Sequence, residues 1–535
     1  MKRLPSLHAL LLLTLTSTPP LLAADAPPAP RLRPSGIDGS LVLCGSPNMP
    51  EAVFTRFMKL AGDDKANLVV VLEGGSNDTA LESWNARKPS SVFIADLRPD
   101  KYDLDSLLAK LDKATGVWIG MSDTAAARKF LLEPRIEPAI RNLLKRGGVL
   151  GIDGCGCGVV GKSPNSADTD KKKQQSLDLL PGTFLLPNFA KADDSSLKLL
   201  FETLDQNPGT LGIGIAPGTA LVVKGRDLAA VGDGVVTIGL SASTTRKRRT
   251  IELKPGSLQD LTALRRASIA RAEPPFPPKQ AAVPNVPSGS LVIIGGGGAP
   301  PDVMKKFIDL AGGPDELIVV LPQANPDPIP KDLRVAMFQK AGAKNVEVLH
   351  GRQPEEIDSP ENLALLKKAK AIWFDGGRQW RFVDSFEGTK VLDLIRDVLK
   401  RGGVIGGSSA GASIQAEYMV RGSPLGNLEM MAEGYERGLG FLPGVAVDQH
   451  FTQRKRFDDM TALMKAYPQL LGIGIDESTA IVVTCSTAEV MGKGHVHFYD
   501  RNKPVEDGKP DYEVLKAGDR YDLKTRKALP ADQDK

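Results

Sequence analysis

Short apolar runs alternate with amphipathic stretches through most of the chain. Leu291-Val-Ile-Ile294, Leu317-Ile-Val-Val-Leu321 and Ala371-Ile-Trp-Phe374 are unbroken apolar runs of strand length. Between them Val303, Phe307 and Leu310 fall on one face of a helical stretch. Val391, Leu392, Leu394, Ile395, Val398 and Leu399 keep a spacing of about 3.6 and predict an amphipathic helix. That helix should stop at Gly402-Gly403, with Val404-Ile405 opening the next strand. A strand that is apolar throughout needs cover on both faces. The alternation therefore predicts an α/β fold with a mainly parallel sheet flanked by helices. Ligands in such sheets sit beyond the C-terminal strand ends, so the residues just after each run hold the chemistry.

The pattern occurs twice. Gly39-Ser-Leu-Val42 returns as Gly289-Ser-Leu-Val292, and Phe57 with Ala61-Gly62 returns as Phe307 with Ala311-Gly312, both 250 residues on. Trp118 and Arg146-Gly-Gly-Val149 return at an offset of 255, Leu180-Pro-Gly182 at 262 and Gly212-Ile-Gly-Ile215 at 260. Matches kept in one order, with a slowly drifting offset, predict two copies of one domain. The boundaries are expected at 39–265 and 289–535. Pro274-Pro-Phe-Pro-Pro278, Pro284 and Pro287 make 266–288 a stiff linker, and Pro27 to Pro34 mark another at 27–38.

Lys2-Arg3, an apolar Ala9–Leu15 run and small residues at Ala23, Ala24 and Ala26 have the layout of a secretory signal peptide over 1–26. The expected location is secreted or periplasmic, with no membrane attachment once the signal is removed. Four cysteines in 535 residues exclude a disulfide scaffold, and most of Cys44, Cys155, Cys157 and Cys485 read as buried small hydrophobes. A net charge of +4 argues against a nucleic-acid partner. The runs Arg246-Lys-Arg-Arg249 and Lys171-Lys-Lys173 read as solvated loops.

Gly407-Ser-Ser409-Ala-Gly411 fits G-x-S-x-G between a strand and a helical stretch, the turn that exposes a nucleophilic serine. The N–H of Ala410 is then placed to hold an oxyanion. Gly295-Gly-Gly-Gly298 also follows a strand, but Ala299-Pro-Pro301 comes next, without P-loop lysine or dinucleotide register; it reads as a tight turn. Of five histidines, His8 lies in the signal and His350 ends an apolar run. His495 and His497 share a strand face, taken as exposed and without a third metal ligand. His450, after an apolar segment and among polar residues, is the best general base. Its orienting acid is Glu477, with Asp476 as rival.

The first copy is a control within the same sequence. Ser409 aligns with Gly154, His450 with Asn188, Glu477 with Pro217 and Asp448 with Leu186. Framework residues persist while the candidate chemistry is absent, so the first copy is expected to be non-catalytic.

Phe374-Asp-Gly-Gly-Arg-Gln379, Gly406-Gly-Ser-Ser-Ala-Gly411, Asp448-Gln-His-Phe451 with Arg454-x-Arg456, and Gly474-Ile-Asp-Glu477 together resemble cyanophycinase, a serine exopeptidase related to peptidase E. The resemblance covers most of 289–500. It implies two tandem flavodoxin-like domains of the class I amidotransferase type, the first degenerate. It implies Ser409 as nucleophile, His450 as base and Glu477 as its partner, with the N–H groups of Gly377 and Ala410 as oxyanion hole. Gln379, Asp448, Gln449, Arg454 and Arg456 would line a pocket for cyanophycin or a β-aspartyl peptide, with no cofactor and no metal. Arg454 and Arg456 suit carboxylates, and Asp448 either takes a guanidinium or orders the arginines. Where such enzymes tend to carry a third arginine, this chain has Asp459. The two copies are expected to pack together as a pseudo-dimer. The alternatives are an α/β-hydrolase-type esterase, whose acid would precede the histidine, and a binding protein inactive in both copies.

Overall fold

The computed structural model describes residues 33–74, 77–98, 103–121, 123–162, 175–190, 194–506 and 508–530. The expected signal peptide, most of the 27–38 linker and the Lys171–Lys173 run lie outside these residues, as does the side chain of Cys155. The described residues from Arg33 onward form one compact unit.

The first half builds its main sheet on five parallel strands, Ser40–Cys44, Asn67–Leu72, Ser91–Asp96, Gly116–Gly120 and Val149–Ile152. In space they run third, second, fourth, fifth, first, and antiparallel strands continue the sheet beyond the first. The second half repeats the order with Val286–Ile294, Ile318–Leu321, Val346–Val348, Ala371–Phe374 and Val404–Ser408. The last four follow the order 2-1-3-4 that opens a flavodoxin-like sheet, and the first strand takes the fifth place. Each half adds a smaller mixed sheet that the apolar pattern did not separate from the first. In the second half its core is Leu442–Gln449 beside Leu471–Ile475, paired in parallel, with His495–Asp500 antiparallel.

Helix Lys390–Lys400 shows how pattern becomes packing. Thr389 caps it by accepting the N–H of Leu392 at 3.1 Å. Val391, Leu392, Ile395 and Val398 are buried against the sheet, each contributing about 1.5–3 kcal/mol. Its end at Arg401-Gly402-Gly403 delivers the chain to the strand that carries the site.

The expected linker is displaced. Helix Leu261–Ala272 runs across its predicted start, since Leu261, Leu264 and Ala267 find apolar cover, and the extended stretch is 273–285. The helix and the loops beside it join the halves through charge. Arg226 donates to Asp260 at 2.9 Å, to Asp384 at 2.9 Å and to the Tyr435 hydroxyl at 3.0 Å, and its guanidinium lies over the Trp380 ring. Arg266 meets Asp384 at 3.0 Å and Arg271 meets Glu433 at 2.6 Å. The run expected to be solvated joins in: Arg246 pairs with Glu436 at 2.7 Å. Cys44 and Cys157 are buried, as expected of most of the cysteines, whereas Cys485 is exposed.

Candidate active site

Strand Val404–Ser408 lies between two parallel neighbours and ends on Ser409. Ser409 has φ 57° and ψ −113°, a strained conformation for a residue with a side chain, and it opens the short helix Ala410–Ser413. Its Oγ lies 2.9 Å from His450 Nε2. His450 follows Leu442–Gln449 in the smaller sheet, also at positive φ (51°), where its N–H donates to the Gly295 carbonyl at 2.7 Å. Its Nδ1 lies 2.6 Å from Glu477 Oε1. Glu477 follows Leu471–Ile475, the neighbouring strand, and its N–H donates to Gln453 Oε1 at 3.0 Å. The nucleophile candidate thus belongs to one sheet and its partners to the other.

The glycines Gly295–Gly298 close the seam between them. A Cβ on Gly296 would lie 2.2 Å from His450 Cε1, and one on Gly297 would lie 2.5 Å from Glu477 Cβ. The run is a turn, as expected, but the pressure on it comes from the imidazole and carboxylate packed against it. Nothing local in the sequence signals this.

A carboxylate only accepts, so Glu477 fixes the proton on Nδ1 and leaves Nε2 to accept from the serine hydroxyl. Burial lowers the His450 pKa below its usual 6.5; the hydrogen bond to Glu477 works against this and the charge of Arg454 adds to it. The imidazole is therefore neutral at pH 7, the form a general base needs. Asp476, the rival acid, faces away. Thr452 N and His495 N donate to its carboxylate at 3.0 and 3.1 Å. Burial opposes its charge, yet these bonds and the neighbouring His497 hold its pKa at about 2.

Gly376 and Gly377 leave strand Ala371–Phe374 beside this pair. A Cβ on Gly376 would lie 3.6 Å from Ser409 Cβ, and one on Gly377, at φ 137°, would lie 2.3 Å from the Ala324 carbonyl oxygen. The Gly376 backbone thus lies beside the serine, with Gly377 next in the chain.

Comparison with known proteins adds the decisive observation. Residues 291–491 match peptidase family S51. The cyanophycinase of Geminocystis herdmanii is 33% identical over 245 residues, which cover 43% of this chain and 90% of that protein. The chain belongs to peptidase family S51. It is a serine-type peptidase. The cyanophycinase of Trichormus variabilis is 32% identical over 251 residues, 43% of this chain and 83% of its own. A solved peptidase from an acI-B1 actinobacterium aligns over 44% of this chain and 97% of its own, with 24% identity and a TM-score of 0.35.

The expected substrate residues of this peptidase fall into two sets. Asp448 is fully buried and cannot line a pocket: it accepts from Arg456 at 2.6 Å and from Arg421 at 3.0 Å, so it orders arginines. Gln449 and Arg456 are buried with it, bonded to one another at 3.0 Å. Gln379 is buried as well and donates to the Val420 carbonyl at 2.7 Å. Only Arg454 is exposed. Sequence reasoning missed Arg421, which is buried and also meets Asp459 at 2.7 Å. The aspartate at the third-arginine position therefore has a cation of its own. His497 is another correction: it is buried, packed on Phe451, Phe457 and Tyr512, while His495 is exposed.

Proposed function

We propose that this peptidase is an exported exopeptidase that hydrolyses cyanophycin or related aspartyl and β-aspartyl peptides through a Ser409–His450–Glu477 triad. The observation that carries this reading is the continuous hydrogen-bonded chain from Ser409 Oγ through His450 to Glu477, starting from a strained strand-end turn. Ser409 Oγ attacks the scissile carbonyl carbon as its proton passes to Nε2. The Gly377 and Ala410 N–H groups hold the oxyanion. The imidazolium, held by Glu477, then protonates the leaving amine, and water releases the acyl group by the same route. Export rests on the layout of the first 26 residues. The similarity to two cyanophycinases supports the substrate class.

The first half is the non-catalytic copy in this reading. It serves as a built-in partner, and its arginines grip Asp384, Glu433 and Glu436 of the second half. The test incubates the full chain with cyanophycin and with β-aspartyl dipeptides and follows product release. Ser409→Ala should abolish both release and labelling by a fluorophosphonate. Labelling that survives Ser409→Ala, or no release from either substrate, defeats the reading.

A further inference from the structure

Four arginines follow from the elements that carry the site, and the carboxylates are shared among them unevenly. Arg421 meets Asp448 and Asp459, and Arg456 meets Asp448. Arg454 is exposed, with no ion pair among the described residues. Arg378, which follows the oxyanion glycine Gly377, has none either. Its backbone N–H donates to the Ala324 carbonyl at 2.9 Å, the oxygen that crowds Gly377. Its Nη2 donates to the carbonyls of Ser423 and Gly426 at 2.5 and 2.8 Å, while its Nε is buried without an acceptor. Half-burial lowers its pKa below the usual guanidinium range, with no acid opposing the shift.

A guanidinium left with a buried, unmet donor is costly unless something supplies the acceptor. The backbone two residues earlier abuts Ser409. With Nη2 taken by two carbonyls and Nε covered, Nη1 is the donor left for a charge-assisted bond to a carboxylate. We infer that Arg378 sets specificity by taking a carboxylate of an acidic peptide beside the scissile carbonyl, an assignment that rests on the peptidase reading above. Of these four, Arg421 and Arg456 are paired with acids, while Arg378 and Arg454 have no ion pair among the described residues and are open to an anionic substrate. Asp459 then has a definite effect: it withdraws Arg421 from that role.

The test uses the full chain and a matched pair of peptides differing only in Asp or Asn at the residue that supplies the scissile carbonyl. Wild type should prefer the Asp peptide in kcat/KM. Arg378→Gln should shrink the Asp/Asn ratio by about tenfold to a hundredfold, the range of a charge-assisted hydrogen bond. Arg378→Lys, which keeps the charge without the planar guanidinium, should recover part of it. If Arg378 only straps the 423–426 loop, both peptides lose equally and the ratio stands still; that result overturns the inference and leaves the peptidase reading intact. Wild type labelled at Ser409 but cleaving neither peptide nor cyanophycin overturns the functional reading, and this assignment with it.

Discussion

The backbone around Gly154 in the first half follows the path taken around Ser409 in the second. Gly154 has φ 55° and Ser409 has φ 57°; Asn188 has φ 53° and His450 has φ 51°. Asn188 N donates to Gly45 O at 2.8 Å, as His450 N does to Gly295 O at 2.7 Å. A Cβ on Gly45 would lie 2.1 Å from Ala216 O, and one on Gly295 would lie 2.2 Å from Asp476 O. Thr219 Oγ1 accepts from Gly234 N at 2.8 Å, and Thr479 Oγ1 accepts from Gly494 N at 2.8 Å. The side chains diverge: glycine, asparagine and proline in one half stand where serine, histidine and glutamate stand in the other. The sharp turn is thus a property of the shared backbone. Glycine holds it freely, and asparagine tolerates a positive φ, whereas Ser409 carries strain of about 1–3 kcal/mol. Retaining that strain in one half only is intelligible if the hydroxyl there is used.

The largest test of the contrast is Glu477→Gln. The amide can no longer hold the Nδ1–H tautomer, and kcat should fall about a thousandfold to ten-thousandfold with the fold intact. Pro217→Glu at the matching place in the first half should leave kcat unchanged. An equal fall in both variants would mean that the halves share the chemistry.

The junction between the halves comes next. Asp384 is 6% exposed and accepts from Arg226, Arg266 and the Tyr435 hydroxyl. Asp384→Ala takes one acceptor from each of two largely covered guanidiniums, which keep Asp260 and Glu387, and should cost about 1–3 kcal/mol and show in thermal unfolding. A melting temperature that stays put would mean the halves do not depend on each other through this cluster. Gly296→Ala should follow. Its methyl would displace the imidazole, and a misplacement of about 1 Å costs about a hundredfold in kcat. Ser46, in the matching turn of the first half, already bears a side chain, and Ser46→Ala should not alter kcat.

Signals that are local in the chain were legible from it. Helix Lys390–Lys400 and strand Ala371–Phe374 lie where apolar spacing put them, and Ser409, His450 and Glu477 each follow a strand closely. What escaped depends on contacts between distant segments. Arg421 sits in a loop 27 residues before Asp448, with no pattern tying it to that carboxylate. His495 and His497 alternate on one strand face, yet only His497 is covered, by Phe457 and Tyr512 from other elements. The basic run at Arg246 looked solvated because its acids, Glu433 and Glu436, lie about 190 residues away. The smaller sheets were missed for a related reason: periodicity reports that a strand is buried, and its partner strand is settled in three dimensions.

The smallest effect bears on why the second half surrounds its histidine with cations. Burial first, and then the charge of Arg454, favour neutral imidazole in the folded enzyme, and Glu477 opposes them only in part. The imidazole is therefore still unprotonated as pH falls through 6.5, and with His450 as the proposed base the acid limb of kcat/KM should lie below that value. Arg454→Ala removes one of the lowering influences, so the limb should move to higher pH. Arg454→Lys, which keeps the charge, should leave it in place. KM for an acidic peptide should rise in the alanine variant as well, because Arg454 is exposed and free to meet a carboxylate. A rise in KM with a fixed acid limb would confine Arg454 to binding, and burial alone would then account for the neutral histidine.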